Sequence, residues 1–346
     1  MRYVSIDAVN QGEQLGKHIF ASDGRILLNE GVTLTVGLLS KLRQMGVNSL
    51  FIKDDRFDDI EIEEVVSETT RRETIQTLSD SIQFMQQGRN LNTEEIQSNV
   101  NSIIEEILQN SDVLIHLTDI RTKENEMFVH LVNVCIMAVM IGVHMKLSKP
   151  KLQELATGAV LHDIGKMVDK VKVSDIPTGY KPDDELMKHH SWKGFNVLRK
   201  SPDVSTLSAH IALAHHEHVD GSGEPRGLVS EDIHLLAKIV SVANEYDHLT
   251  SGETRVFPHE ACEHIMARTN IRHDHNVVWK FLRSIAFYPN GSQIQLSNGL
   301  TGIVIDQHSG LPQRPIVRVF DPDEDGTIFE QIDLAKQPTI FITKVH

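Results

Sequence analysis

The residues of this 346-residue chain best equipped for chemistry are His162-Asp163-Ile164-Gly165-Lys166, which set a nitrogen ligand, a carboxylate and a cation within five positions. Imidazole and carboxylate both suit borderline divalent ions, so adjacent His and Asp at the mouth of a helical core can bind one metal or share a bridging one. The apolar run from Leu155 to Leu161 reads as the end of such a helix; Gly165 lets the backbone turn sharply, and Lys166 is placed to meet a phosphate. The same five residues also suit an ordinary helix end, with Gly165 as the stop, Lys166 complementing the dipole and His-Asp sharing a hydrogen bond. The supply of further histidines separates the two readings.

Of 19 histidines, sixteen fall between His116 and His275, which marks the middle of the chain as its chemical part. Glu126 and His130 stand four apart on one expected helix, so both face the same way and can reach one ion. His190 lies in an amphipathic segment, and His215-His216-Glu217 end another helix just before the Gly-rich Asp220-Gly221-Ser222-Gly223-Glu224-Pro225. Asn244 and Asp247 are three apart on the helix after that. Ligands projected from several helices into a bundle recur in this way. Burying so many imidazoles without a metal leaves donors and acceptors unpaired, so a metal site is expected. His18, His259, His264, His273, His275 and His308 fall outside the pattern and read as surface or core residues.

The elements that must position these groups are mainly helical. Helical periodicity covers Val113 to Leu117, Phe128 to Met145, Pro150 to Leu161, Asp183 to Arg199, Val204 to His215, Ile233 to Leu249, Pro258 to Arg268 and Asn276 to Phe287. Loops are expected at 174–183 and 220–231. Residues 1–53 read as a small α+β module, with a hairpin about Asp23-Gly24, a helix from Thr35 to Met45 stopped by Gly46, and a strand from Val47 to Ile52. Residues 54–111 form an acidic linker and a helical segment whose broken apolar stripe, Val66, Ile75, Leu78, Ile82 and Met85, suggests pairing with a second copy, hence a homodimer. Residues 112–288 are the helical chemical domain. Residues 289–346 form a short β-rich cap, with strands at Gln293 to Leu296, Thr301 to Ile305, Ile316 to Phe320 and Ile340 to Ile342.

Composition narrows the function. A hydrophobic content of 40% with 24% charged residues is that of a soluble globular protein. The apolar stretch from Val129 to Met145 is interrupted by His130, Asn133 and His144, so it reads as a buried helix and not a membrane span. The start of the chain shows no signal peptide, and two distant cysteines fit a reducing cytoplasm. A net charge of −14 argues against duplex nucleic acid as a partner, because duplex affinity comes mainly from Lys and Arg. An anionic small ligand would need local positive charge, which bound metals supply.

Taken together, His162-Asp163-Ile164-Gly165-Lys166, His190 to Gly194, His215-His216-Glu217 and Asp220 to Pro225 resemble the HD-GYP subgroup of the HD phosphohydrolase superfamily over about residues 112–255. The flanking parts are also similar to those attached to such domains in some bacterial proteins. The resemblance implies an all-α fold, two or three divalent metals, iron or manganese, and hydrolysis of cyclic di-GMP to linear pGpG and in some cases GMP. It carries metal-ligand roles onto His130, His162, Asp163, His190, His215 and His216, a third-metal role onto Glu126, and a place near the scissile phosphate onto Lys166. The implied chemistry is metal-assisted in-line attack on phosphorus, with Asp163 and Lys166 as the catalytic pair.

Three positions depart from the family pattern. Glu224 replaces the tyrosine of Gly-Tyr-Pro and would repel phosphate; Asn244 stands where an aspartate ligand is expected; Glu253 takes the place of an arginine, with Arg255 close by. The metal core therefore reads as nearly intact, and the substrate rim, Lys166, Asp220, Gly223, Glu224 and Arg255, as altered. Two other readings stand beside hydrolysis of cyclic di-GMP: a weak or inactive relative that binds a cyclic dinucleotide or a partner protein, and a phosphohydrolase acting on another nucleotide.

Overall fold

Short local signals shape the first module of the chain. In the computed structural model, which describes residues 1–54, 57, 59–60, 63–116, 120–168, 185–252, 255–320 and 328–345, strand β1 (Arg2–Ser5) precedes β2 (Ile19–Phe20) and β3 (Ile26–Leu28), which form the expected hairpin. Gly24, at φ +76°, supplies the left-handed turn residue between them. Helix α1 (Val36–Gln44) starts on Thr35, whose side chain accepts the Leu38 N–H, and β4 (Ser49–Ile52) then returns antiparallel to β1. Leu15, Ile19, Leu34, Leu42 and Leu50 are buried between these pieces.

Helices α2 (Glu68–Gln86) and α3 (Thr93–Gln109) lead into α4 (Glu126–His144), the axis of the molecule. A helix that is apolar on every face must be covered on every face. Accordingly α4 is buried from Val129 to Gly142, and α2, α3, α5 (Lys149–Val160), α9 (Leu235–Thr250) and α11 (His275–Leu282) surround it. Its length and apolarity would suffice to cross a membrane, yet it is packed inside its own chain. Between α5 and α9 run α6 (Glu185–Lys188), α7 (His190–Leu198) and α8 (Thr206–Ala214), while α10 (Pro258–Ala267) packs on α9.

The chain ends in an antiparallel sheet of order β8-β7-β6-β5-β9, formed by β5 (Gln293–Leu296), β6 (Thr301–Asp306), β7 (Ile316–Phe320), β8 (Ile328–Asp333) and β9 (Ile342–Val345). Ile294, Val304, Val317 and Val319 form its separate core.

Several expectations are corrected. The stretch from Val113 to Leu117 is not helical where it is described: the Ile115 N–H donates to Ser284 O (2.8 Å) and the Ala286 N–H to Ile115 O (3.1 Å). That bridge also ends α11 at Leu282, short of Phe287. Leu117, Asp183 and the loop at 174–183 lie outside the described residues. The long helix expected up to Arg199 is broken at His189, whose Nδ1 caps α7 by accepting the Ser191 N–H. Strands β1 and β8 were not anticipated, and the last strand sits at Ile342–Val345 in place of Ile340 to Ile342. The stripe read as a dimer face is used within the chain: Val66, Leu78 and Ile82 join Ile96, Val100 and Ile104 in the main core with α4 and α5. That core runs across the boundary expected at 111/112.

Candidate metal centre

Asp163 sits in the turn that follows α5 and leads into a 3-10 turn at Ile164–Met167. Its two carboxylate oxygens face two sets of imidazoles. Oδ1 lies 3.2 Å from His190 Nε2 and 3.5 Å from His215 Nε2, and His216 Nε2 is 3.1 Å from His190 Nε2. Oδ2 lies 3.6 Å from both His130 Nε2 and His162 Nε2, which are 3.3 Å from each other. Donor atoms of Asp163, His190, His215 and His216 fall within 4.8 Å of one another, and so do those of His130, Asp163 and His248. The carboxylate is thus common to two groups, each of which could hold an ion.

The protonation pattern fits cations. Asp247 accepts a hydrogen bond from His130 Nδ1 (2.7 Å), Ala159 O accepts one from His162 Nδ1 (2.7 Å), and Ala212 O one from His215 Nδ1 (2.9 Å). In a neutral imidazole that leaves Nε2 as a bare lone pair, the form that ligates metal. Lone pairs of His130 and His162 3.3 Å apart cannot satisfy each other; a proton or a metal cation between them can. Asp163 Oδ1 and Asn244 Oδ1 are likewise buried without a hydrogen-bond partner among the described residues. Burial drives His162, His215 and His216 toward the neutral state. Burial alone would raise the Asp163 carboxyl, but the imidazoles of His162, His130, His190 and His215 hold it well below the usual carboxylate range. At His130 burial is outweighed by Asp163 and Asp247, which lift it to about 9, placing a proton where the donor set asks for positive charge.

A layer of polar groups behind the imidazoles sets their direction. Asp247, fully buried on α9, accepts Arg121 Nη1 (2.9 Å) and Nη2 (2.5 Å) and is approached by Asn133 Nδ2 (3.3 Å). Arg71 of α2 in turn donates to Asn133 Oδ1 (2.6 Å). Glycines bring the elements close enough. A Cβ at Gly165 would stand 1.9 Å from His190 O and 2.5 Å from Gly194 N, so the turn after Asp163 and α7 meet backbone to backbone. Gly165 serves this approach and not the sharp turn expected of it, since its φ is not positive. A Cβ at Gly223 would meet His218 N at 2.2 Å, and buried Glu217 accepts the Arg226 and Leu228 N–H groups, which pins the Gly-rich loop beneath His216.

The remaining candidates scatter. Lys166 Nζ is 2.5 Å from Asp163 Oδ2 and partly exposed, at the open side of the site. Asn244 lies one turn before Asp247 on α9. Among the described residues Glu126 is in neither group of converging donors; it lines a cavity with Arg121, Lys123 and Arg255. Arg255 is not turned to the metal groups either: its Nη2 donates to Asn48 O (3.1 Å) and Ser49 Oγ (2.6 Å) of the first module. Asp220 is exposed and accepts the Ser222 N–H (2.9 Å). Glu224, exposed, faces His189 Nε2 at 3.4 Å. Glu253 lies outside the described residues. Sequence reasoning missed His248, whose ring stacks on His130 at 4.5 Å; its place four residues after Asn244 was the available signal. It also missed Arg121 and Asn133, which nothing in the sequence links to Asp247.

A helical bundle that gathers imidazoles from α4, the end of α5, α7 and the end of α8 around one shared carboxylate defines a metal-binding all-α domain. Residues 103–277 match the HD domain family, and the chain belongs to it. HD domains are metal-dependent, in keeping with the donor groups around Asp163. Residues 293–346 match the KOW domain associated with HD domain. A cyclic di-GMP phosphodiesterase of Pseudomonas aeruginosa is 32% identical over 237 residues, 67% of this chain and 57% of that protein. Another, of Thermotoga maritima, is 33% identical over 160 residues, 46% of this chain and 42% of the relative. The chain thus spans about half the length of these relatives. Among solved structures, a protein of Bdellovibrio bacteriovorus described as a HDG"Y"P protein aligns with a TM-score of 0.51 at 18% identity, covering 81% of this chain and 97% of the other, and so shares the fold.

Proposed function

We propose that the chain is a metal-dependent phosphodiesterase that opens cyclic di-GMP to linear pGpG. The observation that carries this reading is the Asp163 carboxylate, one oxygen toward His190 and His215 and the other toward His130 and His162. Two divalent ions held there would supply Lewis-acid stabilisation of phosphoryl oxygens and activation of water for in-line attack. An imidazole-carboxylate donor set suits iron or manganese. His130, His162, Asp163, His190, His215 and His216 would hold the ions, with His248 and Asn244 as additional donors. Lys166, 40% exposed beside Asp163, supplies a fixed cation toward the phosphodiester. The names of the relatives from Pseudomonas aeruginosa and Thermotoga maritima favour the same substrate.

The test is turnover of cyclic di-GMP by the full chain loaded with iron or manganese. Asp163→Ala and His162→Ala should each reduce it by about a thousandfold or more, since both remove ligands the ions need. Saturable binding of cyclic di-GMP by the metal-loaded chain without turnover would overturn hydrolysis and leave a binding module. That second reading is favoured by one observation, Glu224 at the rim, whose charge opposes a phosphate.

A further inference from the structure

Two cavities open side by side where the first module, the helical domain and the terminal sheet meet. They share Tyr3, Ser49, Thr250 and Arg255, and they differ in character. One, of about 220 Å³, is lined by Arg43, Arg121, Lys123 and Arg255, with Glu126 as the acid opposing them. Arg43 is paired with Asp7 (3.1 Å) and Arg121 with Asp247, so Lys123 and Arg255 are the cations this cavity offers an anion. The other, of about 240 Å³, is aromatic. Its Phe257, His259 and Tyr288 rings form a near-parallel series, with centroids 5.9 Å apart at 19° and then 5.1 Å apart at 28°. Phe257 is 43% exposed at the edge of that series.

We infer that the paired cavities form a mononucleotide site separate from the metal centre, with the phosphate among the cations and the base against the aromatic rings. Cationic grooves beside stacking rings hold nucleotides without reading base edges, because every base has a π-face. Arg255 belongs to both cavities and can join the two halves. Its Nη2 is engaged by Asn48 O and Ser49 Oγ, while a guanidinium carries five N–H donors, so Nε and Nη1, with no hydrogen-bond partner among the described residues, remain for a phosphate. Lys123 is exposed with no ion pair among the described residues, and its N–H, donating to Met45 O (2.8 Å), holds it against the first module. The site exists only in the assembled chain, since Tyr3 of the first module lines both cavities and its N–H donates to Gly291 O (3.2 Å), just before β5.

The experiment is equilibrium dialysis or calorimetry of GMP and AMP with the full chain carrying Asp163→Ala, in chelator, so that the metal centre cannot bind phosphate. One nucleotide per chain should bind saturably. Lys123→Glu and Phe257→Ala, both at exposed positions, should each weaken binding about tenfold with an unchanged urea midpoint, and guanosine or inorganic phosphate alone should bind about tenfold more weakly than GMP. Absence of saturable binding of either nucleotide would overturn the proposal. So would an affinity unchanged by either substitution, or phosphate binding as tightly as GMP. None of these outcomes depends on whether the metal-loaded chain hydrolyses cyclic di-GMP.

Discussion

At the scale of single residues, the metal centre depends on groups that never touch an ion. His130 presents Nε2 because Asp247 accepts a hydrogen bond from its Nδ1–H, and Asp247 is held in turn by Arg121 and Asn133. Asp247→Asn keeps the volume but offers an amide in place of an acceptor with full charge. Metal affinity should fall about 10–100-fold, as losses behind a ligating histidine do. Competition with a chelator of known affinity measures it, and an unchanged value would show that Asp247 does not direct His130. Glu224 is the residue whose replacement should improve a property. Exposed at the rim and 3.4 Å from His189, it brings negative charge where a phosphodiester would approach. Glu224→Tyr should tighten binding of cyclic di-GMP by about tenfold, on the scale of one removed repulsion or one added stacking contact. An equal or weaker affinity would place the ligand elsewhere.

At the scale of elements, the decisive contact is between the turn after α5 and the start of α7. Gly165 and Gly194 allow it, since a Cβ at Gly165 would overlap His190 O at 1.9 Å. Gly165→Ala must push α7 away or distort the turn, at a cost of about 3 kcal/mol or more. The urea midpoint should drop, and bound metal should fall with it because His190 moves off Asp163. A variant with wild-type stability and full metal content would mean that the two elements are not locked together. Helix α9 contributes twice, placing Asp247 behind His130 and His248 against its ring. Helix α2 contributes once, through Arg71 to Asn133, which ties a helix outside the ligand set to the same buried carboxylate.

At the scale of the whole molecule, the three parts are stitched by backbone and buried polar contacts. The Lys123 N–H reaches Met45 O, the Tyr3 N–H reaches Gly291 O, and His116 Nδ1 accepts the Asn290 N–H (3.3 Å). Burial, with Lys17 nearby, pushes His116 down to about 4. An imidazole whose folded value lies below its unfolded one, about 6.5, favours the native state fully above that value and progressively less as pH falls toward 4. Wild-type stability should therefore decline over that window by about 3 kcal/mol more than that of His116→Asn. Urea midpoints of both proteins between pH 7 and pH 4, compared as a difference, isolate this histidine from the others. Parallel curves would show that His116 is protonated as readily in the folded chain as in the unfolded one.

The amino-acid sequence by itself determined the helical core and the types of residue at the metal centre. An apolar run such as Val129 to Met145 must be kept from water, its interrupting His130, Asn133 and His144 favour a protein core, and imidazoles and acids at the ends of successive helical patterns point into one bundle. Local turn chemistry likewise determined the hairpin about Gly24 and the helix begun by Thr35, since capping and left-handed turns depend on a few neighbouring residues. What only the tertiary structure decided depends on partners far apart along the chain. It burned off the apparent freedom of the α2 stripe by packing α3 and α4 against it, and it turned Val113 to His116 from a helix into an edge held by Ser284 and Ala286. It drew His248 toward His130, turned Arg255 to Asn48, and set Glu126 in a cavity with Arg121, Lys123 and Arg255. Periodicity records which way a side chain faces on its own helix; which other helix stands opposite is set by the packing of the whole core.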